Sequence, residues 1–368
     1  MKRAYGFSLV EIMIAIVIGM VTLLAVTQMM ASSAAQRQSA TAGADSTINA
    51  ALGLYSIERD GKNAGYIIGS VRSILGCQVR AIRGGTSRNF SLLPVQIADG
   101  ASGVPDTIQF LAGNKSGIAL PTRVAADHAQ AASNFYVDSD VGMQAGDLVI
   151  AATAALDTTA TPSRWCTLLA VTQPPSGAAT NMVWHETSNA WNPSTSIMPA
   201  TGYVVGDYLI NVGSLSDQTY SINSSNHLQV VTYDWVANQS VTQDLQSNIV
   251  QLQAVYGMDT NADGVVDRWT ADAPASPTIW QQIRVIRVAV VARSTQRESA
   301  IVTLDGAADA STCASTTPHP AALCWRPDPG GDGVKIDVNI NNANPDWQHY
   351  RYTVMETTIP LRNVIWQQ

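Results

Sequence analysis

The chain opens on a run of apolar positions with almost no polar interruption. From Phe7 to Gln36 the only formally charged side chain is Glu11. A helix needs about 20 apolar residues to cross roughly 30 Å of hydrocarbon, so this stretch is long enough to span a bilayer, over about residues 9–31. Past Ala35 the pattern changes character without ending. Ile48, Ala51, Leu52 and Tyr55 fall at i, i+3, i+4 and i+7, the spacing of one helical face. No proline occurs before Pro94, so nothing forces a break. The pattern predicts one helix over residues 7–62, about 80 Å long at 1.5 Å per residue. Its first half is apolar all round. Its second half is apolar on one side, expected to pack under a head through Ile48, Ala51, Leu52 and Tyr55. Gly61 and Gly65 are the expected stop signals.

Beyond residue 62 the apolar period shortens to that of strands. Apolar or alternating runs at 107–111, 134–137, 147–152, 165–172, 203–212, 227–234, 249–257 and 284–292 are separated by Gly, Pro, Asn and Ser. From Tyr350 the alternation of Tyr352, Val354 and Glu356 with Arg351, Thr353 and Met355 predicts a last strand. Segments 112–133, 153–163 and 174–202 are polar or rich in small residues and read as surface insertions, where specific contacts would lie. The expected fold class is α+β: a long N-terminal helical spine, membrane-spanning in its first half, packed against a C-terminal β-rich head over 63–368.

Charge narrows the partners. The net charge is −7 and only 13% of residues are charged, with no basic cluster. A nucleic-acid site would show a basic face, and none is evident. Four cysteines, Cys77, Cys166, Cys313 and Cys324, suit disulfides in an exported chain. Three pairings are open; the local one, Cys313–Cys324, leaves Cys77–Cys166. No CxxC or CxxH spacing supports zinc instead.

The sharpest chemical motif is Asp259-Thr260-Asn261-Ala262-Asp263-Gly264-Val265-Val266-Asp267. Side-chain oxygens recur at alternate positions, Gly264 allows a sharp turn and Val265 offers a carbonyl, as in the first part of an EF-hand-type loop. Asp259, Asn261, Asp263, Val265 and Asp267 are therefore the expected ligands of a Ca²⁺ ion. Thr270 stands where such a loop places its bidentate Glu. The alternative is a metal-free Asp/Asn/Gly turn. No organic cofactor is expected. The histidines form no HExxH, His185-Glu186 has no partner in sequence, and no GxSxG, Walker loop or GxGxxG occurs. The chain is not expected to be an enzyme.

The N-terminal residues Gly6-Phe7-Ser8-Leu9-Val10-Glu11 resemble the processing signature of type IV pilins and type II secretion pseudopilins. The resemblance implies a leader over 1–6 cut by the prepilin peptidase between Gly6 and Phe7, N-methylation of Phe7, and Glu11 as the assembly carboxylate. The end of the predicted helix, Tyr55 to Tyr66, is similar to that of PilW-type minor pilins. So are Trp280-Gln281-Gln282-Ile283-Arg284 and Ile359-Pro360-Leu361-Arg362-Asn363. PilW-type membership implies a pilin-like fold and a single-pass protein of the inner membrane with a periplasmic head. It also implies incorporation into a pilus beside other minor pilins and the major pilin, with roles in assembly, twitching motility, adhesion or DNA uptake. Two alternatives share the N-terminus: a GspJ-like pseudopilin of type II secretion, and a tip adhesin binding glycans through the 112–202 loops. A third, an ordinary secretory signal cut near Ala34, fits poorly with an acid at the start of so long an apolar run.

Overall fold

The computed structural model describes residues 8–100, 103–117, 120–159, 162–173, 180–193, 197–303, 323–328, 334–338 and 344–365. One helix of 55 residues, Leu9–Asn63, leads the chain. It starts at Ser8, whose backbone is extended (φ −71°, ψ 142°) and whose carbonyl accepts the N–H groups of Glu11 and Ile12. Residues Leu9–Ala34 are long and apolar enough to cross a membrane, and none is buried by the rest of the chain. At 1.5 Å per residue these 26 residues reach about 39 Å, more than a hydrocarbon core requires.

The second half of the helix packs through a different face from the one its large side chains mark. Ser46, Ala50, Gly53, Leu54, Ile57, Asp60 and Gly61 are buried. Ile48, Leu52 and Tyr55 are 55%, 46% and 63% exposed, and Ala51 is exposed as well. The reason is closeness of approach. A Cβ on Gly53 would sit 3.1 Å from Leu228, and one on Gly61 would sit 3.0 Å from Ile359 and 3.2 Å from Phe110. Small residues mark the contact because they let the helix axis come nearer the sheets. Gly61 is thus a contact inside the helix and not its end. The helix stops at Asn63, and Gly65, at φ +80°, takes the left-handed turn that follows.

The helix lies against the strands Tyr352–Pro360 and Ile283–Arg293. These belong to a four-stranded antiparallel sheet in the order Arg268–Thr270, Ile249–Met258, Ile283–Arg293, Tyr352–Pro360. A five-stranded antiparallel sheet runs Gln239–Ser247, His227–Asp234, Leu215–Ile222, Thr107–Gly113, Val95–Ala98. Ala50, Leu54 and Ile57 share one apolar core with both sheets, through Phe110, Tyr220, Leu228, Leu252, Ile286 and Ile359 among others. The fold class is α+β, as expected. The terminal strand begins at Tyr352 rather than Tyr350.

A third sheet of six strands runs Phe90–Ser91, Gln78–Arg80, Cys166–Ala170, Leu148–Ala152, Tyr208–Gly213, Thr122–Arg123. It is covered on both sides. Leu148, Ile150, Leu168 and Ile210 face Trp191 and Trp235, while Val149, Ala151, Leu169 and Leu209 face Phe135, Val183 and Tyr203. All five residues of Leu148–Ala152 are buried, which is why that strand reads as a continuous apolar run. The expectation of surface insertions over 112–133 and 174–202 is corrected accordingly. The described parts supply the strands Thr122–Arg123 and Met182–Trp184 and bury Trp191, Ile197 and Met198. Their polarity comes from the turns between these short pieces.

Candidate functional site

Glu11 stands in the first turn of the helix, where a carboxylate complements the partial positive charge of unpaired N–H groups. Its side chain is exposed and has no ion-pair partner among the described residues. Gly6 and Phe7 lie outside the described residues.

At the other end the helix is locked to the head by polar groups. Asp60 is buried; it accepts Tyr220 Oη–H at 2.5 Å and Arg59 Nε–H at 2.9 Å. Burial, then the Asp60 carboxylate, push the Tyr220 phenol upward in pKa. Asn363, in the short helix Arg362–Ile365, turns its amide to the last turn. Its Nδ2 donates to the carbonyls of Lys62, Asn63 and Ala64 at 3.4, 3.2 and 3.2 Å. These are carbonyls that no helical N–H reaches. Leu361 and Val364 bury their side chains beside it. The Pro-Leu-Arg-Asn segment is thus a clamp on the end of the spine, a role that no local pattern announces.

The five expected calcium ligands all lie in the turn between Ile249–Met258 and Arg268–Thr270. Asp259 is buried, and its Oδ2 accepts Arg284 Nη2–H at 2.9 Å and Gly264 N–H at 3.1 Å. Its Oδ1 accepts Asp263 N–H at 3.2 Å, and Asp263 Oδ1 accepts Val265 N–H at 2.8 Å. Asn261 Oδ1 accepts Asp263 N–H at 3.1 Å, and the Asp267 carboxylate accepts Thr260 N–H and Oγ1–H. Burial pushes the Asp259 carboxyl up, but Arg284 and the Gly264 amide outweigh it and hold the pKa below its ordinary value. Among the described residues no three His, Cys, Asp or Glu side chains gather as a metal site. As placed, the oxygens accept the loop's own amides and the Arg284 guanidinium.

Residues 208–363 hold the four-stranded sheet, this turn and the Asn363 clamp, and they match the family described as Type IV Pilus-assembly protein W. Residues 1–27 match the prokaryotic N-terminal methylation motif. The chain is thus similar to the PilW family of type IV pilus-assembly proteins over its C-terminal part and carries the N-terminal methylation motif at its start. A search of curated proteins gives no match. A type IV-like pilin from Thermus thermophilus is 9% identical, over 60% of this chain and 87% of that one, with a TM-score of 0.24.

Cys77, just before the strand Gln78–Arg80 of the six-stranded sheet, and Cys166, at the start of the adjacent parallel strand, form a disulfide with Cα atoms 6.0 Å apart. It closes a loop with a sequence separation of 89, worth about 4–5 kcal/mol in the chain-entropy account. Cys313 and the side chain of Cys324 lie outside the described residues. Beside the same sheet, His128 and His185 meet with Nε2 atoms 2.9 Å apart, both buried. The His128 ring stacks on Phe135 at 3.8 Å. Burial lowers His128 to about 4; burial and then the charge of His128 lower His185 to about 3. The partner that His185 lacks in sequence is thus 57 residues away along the chain.

Proposed function

We propose that this protein is processed between Gly6 and Phe7, methylated at Phe7, and held in the inner membrane by Leu9–Ala34 with its head in the periplasm. Residues 1–6 are the discarded leader, 7–62 the spine and 63–368 the head. It then enters a pilus as a minor subunit of the priming or tip complex, beside other minor pilins and the major pilin, and it performs no catalysis. The observation that carries this reading is Glu11: a lone carboxylate, unpartnered among the described residues, in an apolar helix that the head leaves uncovered. A charge inside a membrane costs a few kcal/mol and marks a function. Pairing it with the N-terminal amine of a neighbouring subunit offsets that cost only in the correct register. Twitching motility, adhesion and DNA uptake are the outputs such a filament would support.

Two measurements test the reading. Mass spectrometry of the mature N-terminus should find N-methyl-Phe7; a chain starting at Ala34 or Ala35 overturns it. Glu11→Ala should deplete the protein from sheared filaments while leaving the melting of its head unchanged. Normal incorporation of that variant would remove Glu11 from the assembly role.

A further inference from the structure

The five-stranded sheet is apolar toward the long helix and mixed on its other face, where Leu111 and Val231 sit among polar side chains. Strand register sets Gln96, Gln109 and Thr219 in one row across that outer face and Asp217, Tyr233 and Ser240 across neighbouring strands in the next. The strand Phe90–Ser91 and Arg88, two residues before it, wall this face from the side of the six-stranded sheet. The cleft between them encloses about 490 Å³, within the roughly 300–1,000 Å³ of small-molecule sites.

The polar groups are held in place before any ligand arrives. Gln109 Nε2–H donates to Asp217 Oδ1 at 2.7 Å, and Gln78 Nε2–H donates to Ser91 Oγ at 2.7 Å. The Arg88 guanidinium lies over the Tyr233 ring, 4.4 Å from its centroid. Phe90 stands edge-on to Trp235 at 5.1 Å between ring centroids.

The chemistry of the lining selects among ligand classes. Amides donate and accept, the carboxylate accepts and the guanidinium donates. Arg88 and Asp217 cancel in charge, so an anion meets Asp217 and a cation meets Arg88. An apolar ligand would bury the amides and the carboxylate unpaired. A neutral molecule dense in hydroxyls satisfies both donors and acceptors.

We propose that this cleft binds a neutral saccharide, through Asp217, Gln109, Gln96 and Arg88. The site lies apart from the spine and needs neither processing at Gly6 nor Glu11, so its test stands separately from the filament reading. The test uses the full chain in a detergent that carries no sugar. Saturation-transfer NMR is run with glucose, galactose, N-acetylglucosamine and lactose, and with inorganic phosphate and trialanine as controls. At least one saccharide should receive saturation, with a dissociation constant on the order of 1 mM. Asp217→Asn and Arg88→Gln should each weaken it about tenfold or more, since each removes a charged hydrogen-bond partner. Arg88 is exposed, so Arg88→Gln carries the test even where Asp217→Asn melts early. Three results overturn the proposal: no saccharide signal at about 10 mM, a signal that survives in the folded variants, or binding of phosphate or trialanine in its place.

Discussion

Consider what a falling pH does to His185. Its ring is 6% exposed, pairs with His128 Nε2 and is held neutral down to about pH 3. In the unfolded chain the same ring takes a proton near its ordinary value of 6.5. The unfolded state therefore binds more protons below pH 6.5, and stability falls with pH. The contribution is fully present above 6.5 and is lost as pH drops toward the folded value. At about 1.36 kcal/mol per pH unit, the interval from 6.5 to 4 removes on the order of 3 kcal/mol through this one residue. Protonating the pair has a second effect. Two imidazoliums are both donors, so the 2.9 Å contact loses its acceptor and becomes a repulsion. The assay is urea unfolding of the full chain in detergent at pH 7, 6, 5 and 4, followed by near-ultraviolet circular dichroism. His185→Gln keeps a hydrogen-bonding side chain facing His128 without a titrating group. The carboxylates titrate alike in both proteins, so they cancel in the comparison. The variant should lose less stability than the native chain between pH 6.5 and 4, by on the order of 3 kcal/mol. Coincident pH dependences would refute the burial argument.

Three further outcomes follow from the same structure. The Asp259 turn is held by Arg284, so added Ca²⁺ or EGTA should leave the melting temperature of the full chain unmoved, whereas Arg284→Leu should lower it by stranding the buried Asp259; a calcium-dependent rise abolished by Asp263→Ala would mean that the loop rebuilds around an ion. Gly61→Leu sets a helix-propensity gain of about 1 kcal/mol against overpacking of about 1–3 kcal/mol; with Ile359 and Phe110 already at contact distance, overpacking should win and the melting temperature should fall. Asn363→Ala should cost about 0.5–1.5 kcal/mol of stability and speed hydrogen exchange in the last turn of the helix, and unchanged exchange would deny the clamp.

The spine was legible because a long apolar run without proline has few other solutions. Which side of it packs was not, because periodicity follows large side chains and this contact is made by Ala50, Gly53 and Gly61. Leu54 and Ile57 belong to the buried face, but Ile48 and Tyr55 drew the pattern elsewhere. The strands were legible from alternation or, in Leu148–Ala152, from unbroken apolarity. The second cover of that sheet was hidden, since Phe135, Val183 and Tyr203 sit in pieces too short for a period. At the turn, the oxygen spacing of Asp259 to Asp267 was plain, but the guanidinium that pairs with Asp259 comes from Arg284 on another strand. The His128–His185 pair and the Asn363 clamp are contacts between distant parts of the chain, which local pattern does not encode.

The clamp also fixes how the polypeptide is threaded. The chain leaves the spine at Ala64, and the amide of Asn363 returns to the Ala64 carbonyl at 3.2 Å. Everything between departs from and comes back to one junction. The head is not separable from the spine at that junction alone, since Ala50, Leu54 and Ile57 of the spine belong to its core. Force drawn along the spine from its apolar half would meet the head first where Ser46 bonds Thr353 and Ala50 enters the core, and would reach that junction last.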